Sequence, residues 1–439
     1  VLSACDGAPG APSESATPPT AANFNYISLG DSLAAGVQDG TTNEHTQPHS
    51  YAALLAKQIA KTYGTFLTMP LLGVDGTREN PDKIPTLLGI SGEDSASIYQ
   101  TKAGGDPLGP DSGLHDKTLA PIAFAAGRGE ASSQLDAALW LAEKWKGAPE
   151  GTPKILTLWL NNDVLGAVVQ IGDENYTAEG INAAMTAPDI FRGNMDFVLQ
   201  ALSRTGAQVF LGNIPDITQI AYLVSGETLS RWTGQSIPAT LLPAGARMSL
   251  PAALRIYTDF LAGRDWQDSL AEHLNDASVM SPEEMALVHA RILELNAILQ
   301  DLAGKYSSHL VDLYQSLRTP QTISGITFTN EWGAGGFFCL DGVHFSHSGH
   351  AYVANLFLRA INQAIATSIP EIDVAEVRIN DPYVDADHDG FPAGPTYESP
   401  LAIVQLLFQF RDADDHDAQV GIRGTPETIH ELKSLALPR

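Results

Sequence analysis

A serine near the start of the chain and an Asp–His pair near its end have the residue types and spacing of a nucleophilic catalytic set. Ser32 lies in the tetrapeptide GDSL, directly after an apolar run that ends at Leu29, and Asp341 precedes His344 by three residues. On a loop, the Asp341 carboxylate can accept a hydrogen bond from one imidazole nitrogen, which leaves the other nitrogen to take the proton of Ser32. The pattern predicts acyl transfer with Ser32 as nucleophile, His344 as base and Asp341 as the orienting carboxylate.

Two other interpretations use the same residues. Ser32 after a Gly-Asp turn could simply cap a helix. His344, His347 and His350 stand at three-residue intervals beside Asp341, which is a plausible zinc set. Steps of three residues at helical pitch leave each ring about 60° short of a full turn, so the three rings cannot easily converge. We expect His347 and His350 to cap or pack the start of the terminal helix.

Apolar runs that alternate with amphipathic segments indicate the elements that must position these residues. Strands are predicted at 23–29, 154–160, 207–211 and 309–313, and helices at 50–61, 132–146, 282–305 and 349–368. Ser281, Pro282 and Glu284 form a capping signature. This order predicts a three-layer α/β/α fold around a doubly wound parallel sheet, which binds ligands at the carboxyl ends of its strands.

Two stretches interrupt the alternation. Residues 73–120 are rich in Gly, Pro and Asp, and we predict a long surface excursion there. Residues 217–280 are apolar and interrupted by Pro, with no predicted strand. They form either a lid or acyl-binding insertion or an ordinary packed pair of helices, and both interpretations stay open.

The motifs ISLGDSL and LDGVHFSHSGH resemble the first and last blocks of the GDSL family of serine esterases, also called SGNH hydrolases. The likeness extends over about residues 24–368. It implies a flavodoxin-like α/β fold and an esterase or lipase that needs no cofactor for catalysis. Lipase, phospholipase, thioesterase and carbohydrate deacetylase all remain open, because function lives in the pocket rather than in the fold.

The resemblance also implies an oxyanion hole. Its donors would be the Ser32 backbone N–H, a glycine in PIAFAAGRGEASSQL and an asparagine in LWLNND. The glycine is Gly127, with Gly129 as the second register. The asparagine is Asn162, but the family often has Gly where this chain has Leu160, so Asn161 stays an alternative.

The chain changes character near residue 370, and residues 371–439 form an acidic C-terminal segment. Asp385, Asp387, Asp389 and Gly390 match positions one, three, five and six of a calcium loop, although position twelve is Thr rather than Glu. The loop predicts a structural calcium, and a solvated acidic turn is the alternative.

Composition and the start of the chain bear on partners and location. The 439 residues carry a net charge of −26, from 51 acidic and 25 basic side chains, which excludes nucleic acid as a partner. VLSAC resembles the tail of a bacterial lipoprotein signal peptide, so Cys5 is a candidate lipidated N-terminus on a tether of residues 6–22. A trimmed secretory signal and a chance pentapeptide are the alternatives. We expect an exported protein, in the cell envelope or secreted. If Cys5 is acylated, Cys339 has no other cysteine in the chain with which to form a disulfide.

Two functions therefore compete. The first is a membrane-tethered carboxylic ester hydrolase that acts on small-molecule or lipid esters. The second is a non-catalytic, calcium-stabilised surface lipoprotein for adhesion or assembly. The matched set of Ser32, Asp341 and His344 favours the hydrolase, because a binding protein has no use for it.

Overall fold

The computed structural model describes residues 24–64, 68–103, 113–126, 132–169, 177–386, 388, 391–397 and 410–411. Its strands are β1 (Asn25–Gly30), β2 (Lys154–Trp159), β3 (Gln208–Gly212), β4 (Leu223–Val224), β5 (Arg247–Ser249), β6 (Val279–Met280), β7 (His309–Val311), β8 (Gln321–Ile323) and β9 (Ile326–Phe328). The four strands β1, β2, β3 and β7 pair in that order, all parallel, and form the central sheet.

Helices cover both faces of this sheet. The helices are α1 (Ser32–Ala35), α2 (Tyr51–Tyr63), α3 (Ser97–Gln100), α4 (Leu114–Ala125), α5 (Gln134–Glu143), α6 (Asn162–Val169), α7 (Ala178–Ala184), α8 (Pro188–Ser203), α9 (Gly226–Thr233), α10 (Leu250–Leu261), α11 (Trp266–His273), α12 (Pro282–Tyr306), α13 (Leu313–Ser316), α14 (His347–Ile365) and α15 (Val374–Ile379). The capping box predicted at Ser281 is present: its side chain accepts from Glu284 N, and the Glu284 carboxylate accepts from Ser281 N.

Alternating side chains of the strands build a core on each face. In β2, Leu156 and Leu158 belong to one hydrophobic cluster, whereas Ile155 and Trp159 belong to the other. Residues of α5, α8 and α12 complete the first cluster, and residues of α2 and α14 complete the second. The predicted α/β fold with a parallel sheet between helical layers is therefore confirmed.

Part of the predicted surface excursion instead extends the sheet. Thr86 O accepts from Ser28 N at 3.0 Å, and Leu88 N donates to Ser28 O at 2.8 Å, so this segment runs parallel to β1 at its outer edge. Leu87, Leu88 and Ile90 are buried. The prediction of a surface excursion was wrong here. These three apolar side chains pack into the core, although the segment around them is rich in Gly and Pro.

The apolar stretch 217–280 also differs from its prediction, because it contains strands. β4, β5 and β6 form a small antiparallel sheet, and α9, α10 and α11 pack with it around a third hydrophobic cluster. Tyr383, Phe391 and Phe410 of the C-terminal segment enter the same cluster. The described part of that segment is thus packed into the body of the protein.

None of the described helices combines the length and hydropathy needed to cross a bilayer.

Candidate active site

Ser32 occupies a tight turn at the carboxyl end of β1. Gly30 has φ 150°, and a Cβ there would lie 2.5 Å from Trp159 O, so only glycine fits this close approach to β2. Ser32 is the first residue of α1, so its N–H has no acceptor within that helix. Ser32 is 4% exposed and lines a cleft, and the residue that caps α1 is Asp31 rather than Ser32.

The carboxylate of Asp31 ties the ends of β1 and β2 together. One oxygen accepts from Leu33 N at 3.0 Å and caps α1. The other accepts both from Asn161 N at 2.8 Å and from Asn161 Nδ2 at 2.9 Å. Burial raises the pKa of Asp31 to about 6, although these hydrogen bonds lower it. The Asn161 side chain is thereby fixed beside the serine turn.

Asp341 and His344 lie on the loop before α14, and the structure pairs them. Asp341 Oδ2 is 2.6 Å from His344 Nδ1, and Asp341 Oδ1 accepts from His344 N at 2.9 Å. Gly342 between them has φ 71°, and a Cβ would lie 2.7 Å from Tyr222 N, so the loop needs glycine there. This geometry fixes the ring and leaves Nε2 for a reacting partner.

Charge interactions strengthen the pair. Burial alone would raise the pKa of Asp341, but the charge and hydrogen bonds of His344 hold it well below its usual range. Burial alone would lower the pKa of His344, but the charge and hydrogen bond of Asp341, with the charges of Asp31 and Asp39, raise it. Asp341 therefore stays ionised and stabilises the imidazolium form of His344.

Ser32, Asn161 and His344 line one cleft at the carboxyl ends of the strands. The cleft encloses about 540 Å³, including the part open to solvent. Most of its lining is apolar and includes Leu165, Ile217, Ile220, Phe337 and Phe338. The structure thus brings the predicted nucleophile and base to one apolar cleft, with the orienting carboxylate hydrogen-bonded to the base.

Asn162 does not occupy the place that the family resemblance implies. Its Nδ2 donates to Glu93 O at 2.8 Å, and Asn161, one residue earlier, lines the cleft instead. The reason is local: Asn162 begins α6, whereas Asn161 precedes the helix and is held by Asp31. The register with Asn161 as donor, left open by the sequence, fits this geometry. Gly127 and Gly129 lie outside the described residues.

This difference predicts distinct effects of two adjacent substitutions. We expect Asn161→Ala to lower kcat about 10²-fold with KM nearly unchanged, because an oxyanion donor acts mainly in the transition state. Asn162→Ala is the matched control and should leave kcat within about threefold of wild type. Steady-state kinetics on a nitrophenyl ester measure both, and the reverse ranking would restore Asn162 as the donor.

The histidines of the zinc interpretation face three different partners. The His347 ring stacks on His49 with centroids 3.5 Å apart, and His350 Nδ1 accepts from Tyr51 N at 3.2 Å. His344 is bonded to Asp341. These contacts do not bring the three rings to a common ion.

Among the described residues, the group close enough to share an ion is Asp39, Cys339 and Asp341. The Cys339 thiol and both oxygens of Asp341 already take part in hydrogen bonds within the protein. We therefore treat these side chains as a hydrogen-bond network. Neither Asp39 nor the role of Cys339 has a signal in the sequence.

The calcium loop and the lipid anchor stay predictions from the sequence. Asp385 is buried, and its Oδ1 accepts from His388 N at 2.7 Å. Asp387, Asp389 and Cys5 lie outside the described residues.

No family model matches the chain, and no curated protein matches it. Among solved structures it is similar to an α/β hydrolase enzyme from the metagenome of Lake Arreo, at 12% identity and TM-score 0.33 over 80% of this chain and 99% of that one. An acetylxylan esterase from Geobacillus stearothermophilus, solved as a catalytic mutant, gives 11% identity and TM-score 0.32 over 80% and 99%. An extracellular lipase from Streptomyces rimosus gives 14% and 0.35 over 78% and 99%.

Proposed function

We propose that this chain is a carboxylic ester hydrolase of the GDSL type that acts through Ser32, His344 and Asp341. The observation that carries the proposal is one cleft lined by both Ser32 and His344, with Asp341 Oδ2 2.6 Å from His344 Nδ1. A nucleophile, a base and an orienting group in this relation are the requirements of acyl transfer.

The first half-reaction forms an acyl-enzyme. Ser32 Oγ attacks the ester carbonyl while His344 Nε2 takes the hydroxyl proton, and Asp341 stabilises the resulting imidazolium. The C–O bond to Ser32 forms as the carbonyl π electrons move onto oxygen. The oxyanion accepts hydrogen bonds from Ser32 N–H and from the Asn161 Nδ2 hydrogen that Asp31 does not use. Collapse breaks the ester C–O bond, and the alcohol leaves with the proton from His344.

Water completes the cycle by the same route in reverse. His344 Nε2 takes a proton from water, whose oxygen attacks the acyl carbon and forms a second tetrahedral intermediate. Its collapse returns the proton to Ser32 Oγ and releases the carboxylic acid. No cofactor takes part in these steps.

The lining of the cleft bears on the acyl group. Leu165 lies in α6 after β2, Ile217 and Ile220 begin the 217–280 stretch, and Phe337 and Phe338 precede the catalytic loop, which carries Asp341 and His344. Burying apolar carbon against these side chains contributes about 0.8 kcal/mol per methylene, so chains longer than acetate should react with higher kcat/KM.

A panel of nitrophenyl esters from acetate to palmitate tests the proposal. We expect turnover that rises from acetate to a chain length that fills the cleft. If the folded protein hydrolyses none of these esters, the non-catalytic surface protein becomes the better hypothesis. Acetate as the best substrate would keep the ester hydrolase and remove the preference for longer acyl chains.

The ionisation of His344 predicts the pH dependence of the reaction. Only the neutral imidazole can take the proton of Ser32, and the raised pKa means that His344 stays protonated to a pH above the ordinary value of about 6.5. We expect kcat/KM to fall on acidification with a midpoint above about pH 6.5. A pH series on a nitrophenyl ester, read at the isosbestic wavelength of nitrophenol, measures this midpoint. A midpoint below that value would contradict the ion pair with Asp341.

A further inference from the structure

The carboxylate of Asp341 is held by many more hydrogen bonds than orientation of one imidazole requires. Oδ1 accepts from Val343 N at 2.8 Å, His344 N at 2.9 Å and the Cys339 thiol at 3.1 Å. Oδ2 accepts from Gly40 N at 2.9 Å, besides its bond with His344 Nδ1. Donors on both oxygens keep the negative charge on Asp341.

A second buried carboxyl lies beside it. Asp39 is fully buried, and its nearest carboxylate oxygen lies within 4.8 Å of the ligand atoms of Cys339 and Asp341. The Tyr383 hydroxyl donates to Asp39 Oδ2 at 2.7 Å, and Asp39 N donates to Cys339 Sγ at 3.2 Å. Among the described residues, Asp39 Oδ1 meets no hydrogen bond of normal geometry. The Tyr383 hydroxyl, the Cys339 thiol and the Leu340 N–H, which favour the Asp39 carboxylate, are uncharged, whereas Asp341 also pairs with the imidazole of His344.

A tight backbone turn directs the Asp39 side chain into this cluster. Gln38 and Thr41 exchange two backbone hydrogen bonds across a tight turn, in which Asp39 has φ 51° and Gly40 has φ 69°. A left-handed φ is uncommon for a residue with a side chain and costs free energy unless its surroundings hold it. The turn lets the Gly40 N–H donate to Asp341 and lets the Asp39 carboxylate accept from the Tyr383 hydroxyl.

Two negative charges in this buried space oppose each other. Burial first, and then the charge of Asp341, raise the pKa of Asp39 to about 7, while the Tyr383 hydrogen bond acts in the opposite direction. The other groups that face Asp39 are Cys339, Tyr383 and Tyr397, and burial raises the pKa of each, so they stay neutral.

The groups that face His344 are Asp31, Asp39, Asp341 and His350. A negative charge on Asp39 would thus lie beside the carboxylate that orients the base, and it raises the pKa of His344.

We propose that Asp39 and Tyr383 are positioning residues that tune the basicity of His344, Asp39 through its negative charge and Tyr383 through its hydrogen bond to Asp39. The significance of this coupling for catalysis rests on the proposed ester hydrolysis, but the coupling itself is a property of the folded chain. Tyr383 belongs to the C-terminal segment, so that segment contributes to the electrostatics of the active site.

The direct test is an NMR titration of the imidazole C–H resonances, in which His344→Gln identifies the His344 signal. Asp39→Asn removes the charge at nearly constant shape, and we expect the titration midpoint of His344 to fall by about one pH unit. Tyr383→Phe should lower it by a smaller amount, because loss of the hydroxyl keeps Asp39 protonated to higher pH. The double variant should match Asp39→Asn, since Tyr383 acts only through Asp39.

Controls separate this coupling from general loss of structure. Tyr352→Phe removes a partly buried hydroxyl that donates to Ser316 O rather than to a member of the network, and it should leave the His344 midpoint unchanged. If Asp39→Asn fails to fold, the milder Tyr383→Phe carries the test. An unchanged midpoint in either folded variant overturns the proposal. So does a Tyr383→Phe shift that persists in full on the Asp39→Asn background.

The acidic limb of kcat/KM gives a second reading of the same quantity. We expect it to move to lower pH in Asp39→Asn and Tyr383→Phe by the amounts seen in the titration. A wild-type chain that hydrolyses no ester removes the proposed function, while the NMR midpoints still decide the coupling. An active chain whose limb stays fixed in both variants removes the coupling and leaves the proposed function intact.

Discussion

Replacing Ser32 with alanine is expected to lower kcat for ester hydrolysis by about 10⁴- to 10⁶-fold. The variant lacks the oxygen that attacks the carbonyl, so only binding and the oxyanion donors remain, and these alone give modest acceleration over water. The free energy of unfolding should change by about 1 kcal/mol or less, because the substitution removes one small hydroxyl group. Assays of nitrophenyl ester hydrolysis over long incubation times measure kcat, and thermal unfolding measures the change in stability.

Ser348→Ala is the matched control for this variant. Ser348 is also a buried serine near the catalytic loop, but it does not line the cleft. We expect its kcat to stay close to that of wild type. A Ser32→Ala variant that keeps more than about a tenth of the wild-type rate would remove Ser32 as nucleophile.

The second large effect is expected from His344→Ala, which should lower kcat nearly as far as Ser32→Ala. Without the imidazole, the serine hydroxyl keeps its proton and is a weak nucleophile. The Ser32→Ala, His344→Ala double variant should be hardly slower than either single variant, because the two residues act as one unit. The same assay on all three variants yields the coupling between them.

His347→Ala is the control for the loop and for the zinc interpretation. His347 stacks on His49 and packs edge-on against Tyr383, but it does not line the cleft, so its loss should lower kcat far less than loss of His344. Multiplicative losses in the double variant would mean that Ser32 and His344 do not cooperate. A large loss in His347→Ala, together with loss of kcat on chelation of the folded protein, would favour a metal at this loop.

The layered fold and the ends of its main elements could be predicted because local patterns dictate them. Ser281 with Glu284 marks the start of α12, which begins at Pro282. The apolar run after Lys154 forms β2, whose alternate side chains enter two cores. Residues 86–90 escaped prediction because only a few backbone hydrogen bonds hold them to β1, and no periodicity accompanies so short a segment.

The candidate site was predictable in its residue types and less so in its register. Ser32, Asp341 and His344 carry distinctive local motifs, and the structure brings Ser32 and His344 to one cleft. The choice between Asn161 and Asn162 depends on which side-chain amide donates a hydrogen bond to the Asp31 carboxylate, and the sequence spacing alone does not determine it. Asp39 and Tyr383 are 344 residues apart, so no local pattern could join them.

The distribution of the site along the chain has a consequence for its biosynthesis. The turn that carries Ser32 is synthesised some three hundred residues before His344 and some three hundred and fifty before Tyr383. At about 10 residues per second, a ribosome would expose the nucleophile turn for roughly half a minute before its base exists. β1 also lacks its partner β2 for more than a hundred residues, although residues 86–88, which pair with its outer edge, are made sooner. Chains that end before His344 should therefore lack hydrolase activity, because they carry the nucleophile without its base.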